Sequence, residues 1–250
     1  MTKTFKVFAA LLTYPTAEIQ EAIDDFLPIL EAEALIAASD RKQLKNLITE
    51  YRERDLLDLQ ERYVLLFDRT RSLSLHLFEH VHGESRDRGQ AMVDLKSMYE
   101  DSGLLLDTTE LPDFLPLFLE YLSILPRDKA LELLSEPAHV IAAIRERLVK
   151  RDSSYAAVLD ALGSLAGPAD EKVTAAILQE PDDDPEDLAA LDAAWEAEQV
   201  EFGPGSAGEG GDGCPQVSGM MDALNEARNS GPLKSQMPKS GITTNEGGRL

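Results

Sequence analysis

Three of the four histidines in this 250-residue chain, His76, His80 and His82, fall within seven positions. On a helix His76 and His80 would share a face, because residues four apart are neighbours there, and Glu79 and Glu84 stand close by. Imidazoles with a carboxylate are a zinc-ligand set. The spacing is not that of the helical zinc-protease motif, in which a glutamate follows the first histidine; here Leu77 does. Gly83 also interrupts a fixed helical face. The preferred reading is a histidine-bearing turn packed between helices, with no metal and no other cofactor.

The same stretch holds Arg69, Arg71, Arg86 and Arg88 together with Asp68, Glu79, Glu84 and Asp87, so it is neutral inside an acidic chain. Guanidinium–carboxylate pairs can fix such a loop through bidentate hydrogen bonds. The functional alternative is a polar recognition surface at the mouth of a groove. Catalytic signatures are missing elsewhere. Gly83 and Gly89 lack the spacing and the preceding strand of a phosphate loop. The single cysteine, Cys214, lies in Gly-Asp-Gly-Cys-Pro, where nothing ordered would lower its pKa, and one thiol makes no internal disulfide. These residues suit an interaction module rather than an enzyme.

The elements that would position them read as helix after helix. Phe5, Phe8, Ala9 and Leu12 recur at i, i+3, i+4 and i+7. Ile19, Ile23, Phe26, Leu27 and Leu30 follow, with Pro28 expected to kink or break the helix. Asp40 is expected to cap a third helix carrying Leu44, Leu47, Ile48 and Tyr51. Asp55 would cap a fourth with Leu56, Leu59, Tyr63, Leu66 and Phe67 on one face. Ser85 would cap a fifth that ends at Gly103. A sixth, opened by Pro112 or one turn later at Pro116, is apolar nearly all round and therefore central. Pro137 opens a later helix, and Val158, Leu159, Leu162 and Leu165 end the core. No alternating strand or hairpin signal appears. The expected fold is all-α, a compact bundle of roughly eight to ten helices.

Composition divides the chain. Residues 1–167 carry a net charge of −10 and residues 168–250 one of −12, out of −22 in all. Eleven of 16 glycines lie beyond position 202. Residues 1–167 are read as the helical domain and 168–202 as an acidic linker. One amphipathic helix in that linker carries Leu188, Leu191, Trp195 and Phe202. Residues 203–250 are read as a Gly/Ser-rich disordered tail that cannot bury enough surface to offset its ordering entropy. The charge repels phosphate backbones, so nucleic acid is not an expected partner, and it disfavours anionic membranes. No run of 18 apolar residues or secretory signal pattern is present, and the expected location is the cytoplasm.

The run LFEHVHGESRDRGQAMVDL, residues 77–95, is long and compositionally unusual. Together with ERYVLLFDRTRSLSL at 61–75, ELPDFLPLFLEYLSILP at 110–126 and ALDAAWEAEQVEF at 190–202, it closely resembles the assembly chaperones of respiratory nitrate reductase, the delta subunit family. The matches are in order and span most of residues 1–202. The resemblance implies an all-helical chaperone that binds the catalytic (alpha) subunit, chiefly its N-terminal segment. It would keep that subunit competent for molybdenum cofactor insertion, delay its membrane attachment, and leave before the enzyme is finished. The alternatives are a chaperone for another molybdoenzyme that recognises a twin-arginine leader, or a metal- or nucleotide-dependent enzyme. Many relatives carry histidine after the Leu-Pro-Asp turn where this chain has Phe114, so no role of that imidazole transfers.

The resemblance is densest where apolar residues mix with balanced charge. The expected client surface is formed by the fourth and sixth helices and the loop between them: Tyr63, Leu66, Phe67, Asp68, Arg69, His80, His82, Glu84, Arg86, Asp113, Phe114, Phe118 and Tyr121. The spacing of Leu66, Phe67, Phe118 and Tyr121 fits simple core burial equally well.

Overall fold

A computed structural model describes residues 1–82, 86–106, 110–180 and 182. Among these the chain forms eleven α-helices and no strand. They are α1 Lys3–Leu12, α2 Ala17–Glu33, α3 Ala38–Glu53, α4 Leu56–Tyr63, α5 Glu79–His82, α6 Arg86–Asp101, α7 Leu115–Ile124, α8 Arg127–Ser135, α9 Ala138–Lys150, α10 Ala156–Ala166 and α11 Glu171–Leu178. No helix is long and apolar enough to cross a membrane among the described residues.

Two apolar helices, α1 and α7, make the centre. Phe5, Phe8, Leu11 and Leu12 of α1 are fully buried, and α1 packs along α7, whose Leu115, Phe118, Leu119 and Leu122 are equally buried. Helix α10 inserts Val158, Leu159 and Leu162 between α9, α3 and α8. Burying side chains of this size stabilises the fold by roughly 1.5–3 kcal/mol each before entropy is counted.

Local chemistry explains most boundaries. The Asp55 carboxylate accepts from Leu57 N at 2.9 Å and starts α4, as expected. Gly103, at φ +83°, follows α6 in the left-handed conformation that stops a helix. The third helix differs: it starts after Ala37, and Asp40 lies in its first turn, where its charge still suits the helix dipole. Pro28 neither breaks nor ends α2, which runs through it to Glu33. Pro112 stands outside α7, which takes Pro116 into its first turn. The expected fourth helix keeps α geometry only to Tyr63; Val64–Asp68 is a π turn, closed by Arg69 N donating to Val64 O at 2.9 Å.

Helical periodicity alone missed α11. Asp170 caps it by accepting from Lys172 N and Val173 N, and Ile177 is buried against α9. The expected cap at Ser85, the amphipathic helix at 188–202 and the tail at 203–250 lie outside the described residues.

Candidate functional site

Between the π turn and α5, the chain makes a one-turn 3-10 helix, Arg71–Leu73, and then runs extended beside the segment that leads into α7. Leu115 N donates to Leu75 O at 2.8 Å, and Leu77 N donates to Asp113 O at 3.0 Å. This antiparallel bridge pairs His76 with Phe114. Two backbone bonds hold the segments in register, and side chains do the rest.

Asp113 is the anchor. It is fully buried, its Oδ2 accepts from Phe78 N at 3.0 Å, and its Oδ1 meets His76 Nδ1 at 3.2 Å. Tyr99, also fully buried, donates to Pro112 O at 2.8 Å and fixes the turn just before it. The His76 imidazole lies against the half-buried Phe114 ring, with centroids 5.3 Å apart and planes tilted 34°. Burial opposes charge on His76, but the hydrogen bond and charge of Asp113, with Glu79 and Glu110, outweigh it and raise the pKa above 6.5.

His80 behaves in the opposite way. It is buried, and burial holds its pKa below 6.5, with Arg147 adding to the effect against the Ser74 hydrogen bond. Its Nε2 lies 2.7 Å from Ser74 O; a carbonyl only accepts, so the neutral ring carries its proton there. Both histidines thus serve the turn. No group of three ligating side chains assembles among the described residues.

The ten expected residues whose side chains are described separate into three sets. Tyr63, Leu66, Phe67, Phe118 and Tyr121 are buried. Tyr63 donates to Leu12 O at 2.9 Å and packs on Phe67, which meets Tyr155 edge-on at 5.1 Å. Tyr121 packs on Tyr99 at 4.9 Å. These rings build the wall behind the surface. His80 and Asp113 are buried hydrogen-bonding posts. Asp68 and Arg69 are exposed at the end of the π turn, and Phe114 is half-buried. Partial desolvation and repulsion from Glu110 raise the Asp68 pKa, while nearby His76 works against them. Asp68, His76, Glu110 and Phe114 therefore share one neighbourhood. His82 lies in α5 and Arg86 opens α6, but their side chains, and all of Glu84, lie outside the described residues.

Two contributors escaped the sequence reading. His76 was weighed as a metal ligand and read as part of a histidine-bearing turn, but it was left out of the expected client surface, although its partly exposed ring pairs with Phe114 across the bridge. Arg147 looked like an ordinary basic residue near the end of α9, yet it is 1% exposed and reaches Ser72 O at 2.7 Å. Its position on the apolar stripe with Val140, Ile144 and Leu148 was the available signal.

Known proteins resemble this chain over most of its length. The family model for the nitrate reductase delta subunit matches residues 32–161, which include the whole bridge. The chain is 45% identical over 198 residues to the nitrate reductase molybdenum cofactor assembly chaperone NarJ of Escherichia coli K12, covering 78% of this chain and 83% of that protein. It is 45% identical over 199 residues to NarW of the same strain, named as a probable chaperone of the same kind, covering 79% and 82%. A probable NarJ of Bacillus subtilis 168 is 31% identical over 163 residues, covering 64% of this chain and 85% of that protein.

Proposed function

The chain belongs to the nitrate reductase delta subunit family, and on that premise we propose that it is the system-specific chaperone that readies a nitrate reductase catalytic subunit for its molybdenum cofactor. The observation that carries this reading is the 45% identity spanning 83% of a chaperone with that named role. It acts by binding rather than by catalysis, in keeping with relatives named as assembly chaperones.

The partner contact is the N-terminal segment of the catalytic (alpha) subunit, taken up on the surface formed by Asp68, Arg69, His76 and Phe114. Arg69 and the carboxylates of Asp68 and Glu110 offer charges of both signs beside the His76–Phe114 pair. An amphipathic helix can lay its apolar side on such a surface and satisfy polar groups at the rim. The net charge of −22 speeds encounter with a basic segment and selects against nucleic acid. The chaperone works in the cytoplasm, holds the apo subunit away from the membrane, and dissociates when the cofactor is in place, so it is no part of the finished enzyme.

Purification of the tagged chain from cells blocked in molybdenum cofactor synthesis tests this. The catalytic subunit should co-purify from those cells and be lost from the complex when cofactor synthesis is restored. Absence of the subunit under both conditions would overturn the proposal.

A further inference from the structure

Arg147 is among the largest fully buried side chains, and its hydrogen-bond partners among the described residues are backbone carbonyls. Its Nη1 donates to Ser72 O at 2.7 Å, and its Nη2 donates to Ile177 O at 2.8 Å and Glu180 O at 3.2 Å. The last carbonyls of a helix lack intrahelical partners and form the negative end of its dipole, so the end of α11 suits a guanidinium. One buried cation thereby joins the C-terminal end of α11 to the 3-10 turn that precedes His76. Asp182 closes a second clasp between the same two segments. Its Oδ1 accepts from Ser72 Oγ at 2.9 Å and from Arg151 at 2.8 Å.

The turn is held again two residues later, where His80 donates to Ser74 O. Leu75 O and Leu77 N then pair directly with Leu115 N and Asp113 O. A displacement of Ser72 therefore passes along four residues of backbone to the register of His76 against Phe114. Neither Arg147 nor Asp182 belongs to that bridge.

We propose that residues 171–180, together with Asp182, are a positioning strap: through Arg147 and Asp182 they fix the Ser72 turn and so set the geometry of the client surface at His76 and Phe114. Arg147 and Asp182 are positioning residues, acting through the turn rather than by touching the partner. The proposal rests on the placement of the client on that surface.

The test uses the full chain, the variants Asp182→Ala, Ser72→Ala and their double, and Asp182→Glu as the conservative rescue. Binding of the client's N-terminal peptide is read by titration calorimetry. Hydrogen exchange is read at the Leu77 and Phe78 amides, with the α3 amides of Leu44 and Leu47 as controls for global stability. Asp182→Ala should weaken binding about fivefold, within the range by which remote coupled positions act. It should also accelerate exchange at Leu77 and Phe78 and leave α3 unchanged. Ser72→Ala should do the same, the double should do no more than either single, and Asp182→Glu should recover most of the loss. Wild-type affinity and wild-type exchange in folded Asp182→Ala would overturn the strap, and so would weakened binding with unchanged exchange at Leu77 and Phe78. If the peptide binds neither wild type nor variant while exchange at Leu77 and Phe78 accelerates, the strap stands and the client assignment falls.

Discussion

His76 and Asp113 stand 37 residues apart in sequence and meet at 3.2 Å, with the fully buried carboxylate between the imidazole and the Phe78 amide. Asp113→Ala leaves a buried amide and an imidazole without their acceptor, which costs about 1–3 kcal/mol for an unsatisfied buried donor. Asp113→Asn keeps an acceptor oxygen and should cost less. Urea unfolding should rank wild type above Asp113→Asn above Asp113→Ala. Equal midpoints for wild type and Asp113→Ala would show that the carboxylate contributes nothing to the bridge.

The histidines on either side of this contact should titrate in opposite directions from 6.5. His76 is raised, so its contribution to stability is complete below the unfolded value and is lost as pH rises through its folded pKa. His80 is lowered, so its contribution is present above the unfolded value and is lost as pH falls through its folded pKa. NMR titration of the ring Cε1 protons should put His76 above 6.5 and His80 below it. In Asp113→Asn, His76 should move down while His80 stays. A His80 that protonates above 6.5 would contradict the neutral ring bonded to Ser74 O.

Arg69 is exposed at the end of the π turn, so reversing its charge should spare the fold. Arg69→Glu should keep the helical circular dichroism of wild type and weaken client-peptide binding by about threefold or more, the behaviour of a charged interface residue. Unchanged affinity in the folded variant would move the contact away from this turn.

The apolar core among the described residues runs from Phe5 to Ile177, and the Gly/Ser-rich composition of residues 203–250 offers little apolar surface to add to it. A chain ended after residue 202 should therefore unfold at the same temperature as the full chain and still support client maturation. A drop in the midpoint of more than a few degrees would assign residues 203–250 a structural role.

The helices around this site were legible because their signals are local. Stripes of Phe and Leu, Asp55 before an apolar run and Gly103 after one each decide an element within a turn or two of the chain. The bridge was not legible in the same way. His76 meets Asp113 and Phe114 only after α7 has packed, and no spacing rule connects positions 37 apart. Helical periodicity also assigned Leu66 and Phe67 to a regular helix, whereas the chain makes a π turn there and brings Asp68 and Arg69 to the surface. Arg147 was passed over for a related reason. Its charge suggested solvent, but three backbone carbonyls supplied by distant segments satisfy it inside. The family resemblance pointed to this stretch of chain, and packing decided which of its residues face outward.

As the proposed chaperone, this chain should prepare a nitrate reductase for its cofactor. The most direct measurement is the molybdenum content of the catalytic subunit purified from cells that lack their own assembly chaperone, with and without this chain. Molybdenum per subunit and nitrate-reducing activity should rise together when the chain is present and stay near background when it is absent. Molybdenum content that is the same in both cells, with the chain expressed and folded, would contradict it.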